Sequence, residues 1–270
     1  MLEIKNISKT FNVGTISEVK SLSDVSCMVE TESFVVVVGT NGSGKSTLLN
    51  AIAGNFFPDH GKIALDGIDL TKMPEHKRAK YIGRVFQNPF SGTAPDMTIA
   101  ENLALATKRG QARNLAWALP QAVTTEFVAR VRPLGMGLEE RLDDPIGKLS
   151  GGQRQALTLL MASWVRPKLL LLDEHTAALD PKTAGKVIRM TGEIVNREHL
   201  TTLMVTHSMQ QAVSMGTRIL MMHKGMIVYD FSGQDKQRLK VADLLSLFDE
   251  IRKKEQIDHS AAEMIDQLYV

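Results

Sequence analysis

The residues with the clearest chemistry form one glycine-rich stretch, Gly39-Thr40-Asn41-Gly42-Ser43-Gly44-Lys45-Ser46. The apolar residues 34–38 precede it, and Thr47 opens a segment with helical character. A strand, a glycine-rich loop and a helix N-terminus in this order direct backbone N–H groups and a positive dipole end toward an anion. Lys45 supplies a charge for β- and γ-phosphates, and Ser46 supplies a hydroxyl for Mg²⁺. The stretch therefore predicts a nucleoside triphosphate site, since a plain surface turn would not explain its flanking elements.

Two carboxylates, Asp173 and Glu174, follow a strongly apolar run, the leucines at 169–172. The carboxyl ends of parallel strands are where an α/β sheet binds its ligand. Because successive strand residues point to opposite sides, we predict that Asp173 holds Mg²⁺ while Glu174 polarises an attacking water. A strand that simply ends in solvated acids would explain the pair alone but not the neighbouring motifs.

Gln87 and His207 also follow apolar runs, residues 82–86 and 201–206. An amide at a strand end can reach a metal and a water near the phosphates, and an imidazole there can contact a γ-phosphate and orient catalytic groups. Taken singly, Gln87 fits a turn residue ahead of a proline, and His207 fits a structural histidine.

A second predicted helix N-terminus with accessible backbone N–H groups lies at Leu149-Ser150-Gly151-Gly152-Gln153, which we call the signature pentapeptide. Ser150 is a good N-cap residue, and the two glycines leave backbone N–H groups accessible before the helix-forming residues 154–164. The pentapeptide predicts a second anion site that lacks a lysine. A capped helix after a loop is the alternative if the pentapeptide is considered alone.

These residues predict an α/β fold with a P-loop core on a parallel sheet and an inserted helical subdomain at about residues 91–165. We also expect an N-terminal antiparallel β subdomain, which the family resemblance described below implies. We expect a nucleotide-binding domain at residues 1–231 and a helical tail at 232–270. Phe11, just after a predicted edge strand, either stacks on an adenine or packs in the core. Apolar residues recur at helical spacing from Val241 to Ile251, which favours a tail packed on its own domain over a dimerisation or regulatory role.

Composition limits the partners. The chain has 270 residues, 43% of them apolar, and a formal net charge of +2, so no basic field indicates nucleic acid. The single cysteine, Cys27, excludes an internal disulfide, and the absence of a signal-like start predicts a cytoplasmic setting. No apolar run approaches the roughly 18 residues of a membrane-spanning helix. We therefore expect any membrane role to depend on a partner.

Together, and in this order, the motifs resemble those of the ATP-binding cassette (ABC) ATPases over about residues 2–230. The signature pentapeptide is the most specific part of the resemblance. The resemblance implies that Phe11 stacks on adenine, that Gln87 senses the phosphate and couples to a membrane partner, that Glu174 is the general base, and that His207 is the switch histidine. It also extends nucleotide contacts to Asp180, in the stretch Ala178-Leu179-Asp180.

Cassettes of this family pair head to tail, so the resemblance implies a homodimer in which Ser150, Gly151 and Gly152 bind the γ-phosphate of the ATP held by the other copy's Lys45. It further implies Mg²⁺, integral membrane permease subunits, a substrate-binding lipoprotein, no nucleic acid, and a peripheral location on the cytoplasmic face of the membrane. The chain departs from the family pattern at His175, where proline is usual, and at Ala177, where serine is frequent.

A narrower resemblance rests on residues 172–180 and on Gly92-Thr93-Ala94-Pro95. These stretches are similar to ATPase subunits of bacterial importers whose substrate-binding proteins belong to the tryptophan/tyrosine class. We therefore predict the ATP-hydrolysing subunit of an importer. The alternative is a cassette ATPase that acts as a mechanotransmitter or clamp and moves no solute. A long-armed DNA clamp is disfavoured, because the sequence has no extended coiled coil between its two motif clusters.

Overall fold

The strands of the computed structural model, which describes residues 1–111 and 121–253, form two sheets. In chain order the strands of these residues are β1 (Leu2–Phe11), β2 (Val19–Val29), β3 (Phe34–Gly39), β4 (His60–Leu65), β5 (Ile68–Asp69), β6 (Ile82–Val85), β7 (Leu169–Asp173), β8 (Thr202–Val205), β9 (Arg218–His223) and β10 (Met226–Ser232).

The smaller sheet is antiparallel and has the order β2-β1-β4-β5. This confirms the N-terminal antiparallel β subdomain. The expectation that Phe11 follows an edge strand is wrong, because β1 pairs on both sides and Phe11 is its last residue. Polar residues occupy much of β1, so its alternation resembles that of a strand with one solvated face.

The larger sheet has the order β10-β9-β3-β8-β7-β6. Its pairs are parallel except for the β9–β10 hairpin, which confirms the predicted parallel core. Strand β3 is buried along its whole length, as expected for a central strand that is covered on both faces. The carboxyl ends of β3, β6, β7 and β8 consequently lie along one edge.

Helices cover the larger sheet and fill the interval between β6 and β7. They are α1 (Lys45–Ala53), α2 (Glu75–Arg78), α3 (Ile99–Thr107), α4 (Gln121–Val131), α5 (Gly151–Trp164), α6 (Pro181–Arg197), α7 (Met209–Met215), α8 (Gly233–Arg238) and α9 (residues 241–253). Helix α3 begins with a capping box between Thr98 and Glu101, a start that fits the periodicity of residues 98–107.

Two apolar clusters divide the larger sheet by the alternation of its strands. Val36 and Val38 of β3 belong to one cluster, with α3 to α6, whereas Val35 and Val37 belong to the other, with α1 and the smaller sheet. Leu244 and Phe248 of α9 join the first cluster, so the described part of the tail packs on the rest of the chain. Residues 254–270 lie outside the described part.

Candidate functional site

The glycine-rich loop joins β3 to α1 with an open helix start. Gly44 is the N-cap residue of α1 with a φ of +97°, in the left-handed region that favours glycine, and no side chain caps the helix. A Cβ at Gly44 would lie 2.5 Å from the carbonyl oxygen of Ser21. The loop therefore fits only glycine here, and the N-terminus of α1 is left for a ligand.

Lys45 is buried and turned onto its own loop. Its Nζ donates to the carbonyl oxygens of Gly39 at 2.9 Å and Thr40 at 2.8 Å. Burial lowers the pKa of Lys45, and the carboxylates of Glu174 and Asp173 act in the opposite direction. The ammonium therefore rests on neutral acceptors that a phosphate oxygen can replace.

Asp173, at the end of β7, contacts an arginine that sequence reasoning missed. Arg84 Nη2 lies 3.5 Å from Asp173 Oδ2 and donates to Asn50 Oδ1 at 2.6 Å. Burial raises the pKa of Asp173, whereas Arg84 and Lys45 act to lower it. The available signal was an arginine inside the otherwise apolar run 82–86, and strands β6 and β7 are neighbours in the sheet.

Glu174 and His207 meet directly. Glu174 Oε1 lies 2.5 Å from His207 Nε2, and the Glu174 side chain is only 9% exposed. Residue Glu174 has a φ of +44°, and its N–H donates to the carbonyl of Val205 at 3.0 Å. The turn after β7 is thus tied to the end of β8, which brings the two predicted residues together.

A cavity of about 560 Å³ lies beside the glycine-rich loop. Its walls come from the loop, from the segment after β8, from the β9–β10 turn and from α9. The lining residues are Gly39, Thr40, Asn41, Gly42, Ser43, His207, Met209, His223, Lys224, Leu245, Phe248, Asp249 and Arg252. None of these lining residues belongs to the signature pentapeptide.

The signature pentapeptide forms hydrogen bonds within itself. Ser150 is the N-cap residue of α5: its Oγ accepts from the N–H of Gln153 at 3.3 Å, and its own N–H donates to Gln153 Oε1 at 3.2 Å. Gly152 has a packing role that the sequence did not reveal, because a Cβ there would lie 2.0 Å from Thr183 Cγ2 of α6. Gly151 faces Leu179, with the corresponding distance at 3.3 Å.

The remaining predicted residues lie at element ends. Phe11 packs edge-on against Phe56, with ring centroids 5.1 Å apart. Gln87 is exposed two residues beyond the end of β6. Asp180 is the N-cap residue of α6, and the hydrogen bond from Thr183 lowers its pKa. These contacts do not test the nucleotide and metal contacts predicted for Phe11, Gln87 and Asp180, which stay predictions.

The oxygen donors fit Mg²⁺ in the form that nucleotide sites use. Within residues 1–111 and 121–253, no group of three or more His, Cys, Asp or Glu side chains could hold a metal by itself. Mg²⁺ commonly binds through one or two protein oxygens plus the phosphates of the substrate. Asp173 at the strand end and the exposed Ser46 hydroxyl on α1 supply such oxygens.

The fold and the site define a P-loop NTPase: a phosphate loop joins the central strand β3 to a helix, and two carboxylates lie at the end of β7, two strands away in the same sheet. The family model described as "ABC transporter" matches residues 22–177, which is more than half of the chain. The chain belongs to the ABC transporter family.

Characterised relatives are similar over nearly the whole chain. A tyrosine transport ATP-binding protein of Clostridioides difficile is 43% identical over 92% of this chain and 99% of its own length. An energy-coupling factor transporter ATP-binding protein of Clostridium tetani is 30% identical over 90% of this chain and 82% of its own length. A putrescine transport ATP-binding protein of Escherichia coli is 35% identical, over 84% and 56% respectively.

Solved cassettes share the fold. A dimeric ATP-binding cassette, described as a post-hydrolysis state bound to ADP and phosphate, matches with a TM-score of 0.72 and 27% identity over 86% of this chain and 98% of its own. Another cassette of an ABC transporter matches with a TM-score of 0.76 and 25% identity over 93% and 98%.

The chain is therefore an ATP-binding, ATP-hydrolysing subunit of an ABC importer, as its sequence predicted. The relatives support this function over the mechanotransmitter or clamp. Among the described residues, no helix has the length and apolar character needed to cross a membrane.

Proposed function

We propose that Glu174 is the general base of ATP hydrolysis and that His207 orients it toward the water and the γ-phosphate. The observation that carries this assignment is the 2.5 Å contact between Glu174 Oε1 and His207 Nε2. His207 also lines the cavity beside the glycine-rich loop, so the proposed base Glu174 lies one side chain away from the space where phosphates would lie.

The phosphates would be held by the loop residues Gly39, Asn41, Gly42 and Gly44 with Lys45, Ser46 and Thr47, and the adenine would stack on Phe11. When ATP binds, Lys45 exchanges the carbonyls of Gly39 and Thr40 for charged phosphate oxygens, which are stronger partners. Asp173, Ser46 and Gln87 would hold Mg²⁺, which neutralises phosphate charge when bound.

We further propose a homodimer in which Ser150, Gly151, Gly152 and Gln153 of one copy complete the site of the other, with Asp180 nearby. The oxygen of Ser150 accepts from its own helix, but its hydroxyl proton remains available to donate to a γ-phosphate. The dimeric form of one solved cassette supports the same arrangement.

The transported solute is proposed to be tyrosine or a related aromatic amino acid, supported by the name of the 43% identical relative. The chain would act on the cytoplasmic face of the membrane with integral permease subunits and a substrate-binding lipoprotein. Gln87 and the helical subdomain at about residues 91–165 would transmit closure to the permease. Residues 1–231 would form the cassette and residues 232–270 the tail.

Replacing the proposed base tests the site. Glu174→Gln keeps the size of the side chain but removes its basicity, so we expect ATP binding to persist, turnover to fall at least about 100-fold, and an ATP-bound dimer to accumulate. ATP turnover, nucleotide affinity and size-exclusion chromatography measure these effects. Glu193→Gln, at an exposed position of α6, is the matched control. Unchanged turnover in Glu174→Gln would refute the assigned base.

Reconstitution tests the solute. The chain, its permease and its binding lipoprotein are placed in vesicles, and ATP-dependent uptake of tyrosine is compared with that of tryptophan, phenylalanine and putrescine. We expect uptake of one or more aromatic amino acids and none of putrescine. Uptake restricted to putrescine, or ATP turnover without movement of any of the four, would contradict the proposed solute class.

A further inference from the structure

Gln211 of α7 connects the two loops that carry the Glu174–His207 pair. Its Nε2 donates to Thr176 Oγ1 at 3.2 Å, and its Oε1 accepts from Thr206 Oγ1 at 2.7 Å. Thr176 lies two residues after Glu174, and Thr206 lies directly before His207. The glutamine therefore bridges the same two segments that meet in the 2.5 Å carboxylate–imidazole contact.

The geometry of the bridge is fixed by buried hydroxyls. Thr176 is 8% exposed and Thr206 is 5% exposed. Thr206 Oγ1 accepts from the N–H of Ser208 at 3.1 Å, which leaves its single proton to point at Gln211. The N–H of Gln211 in turn donates to Ser208 Oγ at 3.3 Å, so the glutamine backbone is held as well.

A glutamine suits this position because it offers an acceptor and a donor at one side-chain end. Its Oε1 accepts a hydrogen bond from the Thr206 hydroxyl, and its Nε2 donates one to the Thr176 hydroxyl. An apolar side chain of the same length would leave both buried hydroxyls without this partner. Helix α7 is also held by its neighbouring residue Ala212, which is fully buried in the core.

We propose that Gln211 is a positioning residue for ATP hydrolysis: it holds the turn after β7 and the segment after β8 in the register that places Glu174 against His207. The inference rests on the proposed roles of these two residues. A general base must lie within hydrogen-bond reach of its target, and a displacement of about 1 Å can reduce a rate about 100-fold. Gln211 acts through the pair and does not touch the substrate.

The test compares three variants. Gln211→Met removes both hydrogen bonds at similar volume, Gln211→Glu retains an acceptor to which both threonine hydroxyls can donate, and Gln210→Met changes an exposed glutamine one position away. We expect Gln211→Met to lower kcat for ATP about 10-fold with KM and nucleotide affinity changed less than about 2-fold. Gln211→Glu should recover most of kcat, and Gln210→Met should behave like the unaltered chain.

Two results would overturn the proposal. One is a kcat in Gln211→Met that equals that of Gln210→Met. The other is a joint loss of kcat, ATP affinity and Tm that Gln211→Glu does not restore, which would indicate a structural role alone. This test is independent of the test of the base. Turnover that survives in Glu174→Gln would contradict the assignment of Glu174 as the base. The role of Gln211 is judged from the kcat ratio of Gln211→Met to Gln210→Met, and both of these variants retain Glu174.

Discussion

The N-termini of α1 and α5 begin in opposite ways, although the sequence predicts an anion site at both. At α1 the N-cap residue is a glycine and no side chain caps the helix. At α5 Ser150 and Gln153 bond reciprocally, which satisfies backbone N–H groups within the chain. The start of α1 therefore has no side-chain cap in a single copy, whereas at the start of α5 the N–H groups of Ser150 and Gln153 are already bonded within the chain.

The C-termini of the same helices are alike, because arginines contact both. Arg78 is fully buried and Nη1 donates to the carbonyls of Ala51 and Ile52, both at 2.7 Å. Arg109 and Arg130 donate to carbonyls at the end of α5. A cation at the negative end of a helix is stabilising. Arginines thus contact the C-terminus of both helices, whereas only α5 has a side-chain cap at its N-terminus.

The largest expected effect on nucleotide binding is at the start of α1. Lys45→Ala removes the only cation of the loop, and we expect ATP affinity to fall about 100-fold, as the loss of charge-assisted hydrogen bonds to phosphate implies. Titration with a fluorescent ATP analogue measures it, and Lys77→Ala, an exposed lysine of α2, is the control. An affinity within about 3-fold of the control would mean that the open N-terminus alone binds phosphate.

Arg78→Met tests whether α1 depends on its other end. Burial lowers the pKa of Arg78 to about 10, so the guanidinium is charged at neutral pH, and its loss leaves two helix carbonyls without their donor. We expect the free energy of unfolding to fall by about 3 kcal/mol in urea denaturation. Arg238→Met at an exposed position should cost less than about 0.5 kcal/mol. Equal costs would show that the buried arginine does not stabilise α1.

The sequence predicts what is local and periodic. The strand, loop and helix around Lys45, the helix start at Ser150 and the strand ends at Asp173 and His207 all follow from short patterns. The pairing of Arg84 with Asp173 was not predictable, because it depends on β6 and β7 being neighbours in the sheet.

Packing between distant segments was equally hidden. The internal position of β1 depends on its pairing with β4, which comes after α1 in the chain. The bridge through Gln211 depends on side chains from two loops that meet only in the folded chain. Sequence reasoning therefore found the ligand-facing residues of the site more readily than the residues that hold them.

Gly152→Ala tests the packing of α5 against α6 separately from ligand binding. The new Cβ would lie 2.0 Å from Thr183 Cγ2, so either the Thr183 methyl group must leave its position or α5 and α6 must move apart, and we expect a loss of about 2 kcal/mol in the free energy of unfolding. Adding Thr183→Ser removes that methyl group and keeps the N–H bonded to Asp180. The double variant should regain most of the stability, whereas additive losses would exclude the clash as the cause.

Ser150→Ala gives the smallest expected effect and tests the capped start of α5 directly. Loss of the capping box should lower the free energy of unfolding by about 1 kcal/mol, while the ATP affinity of the isolated chain stays unchanged because Lys45 and its loop are untouched. Ser232→Ala is the matched control, since Ser232 is the N-cap residue of α8 without a side-chain cap bond. Chemical denaturation and nucleotide titration of both variants measure the difference. A Ser150→Ala chain that binds ATP as weakly as Lys45→Ala would place both helix starts in one copy's site and contradict the division into an uncapped start and a capped one.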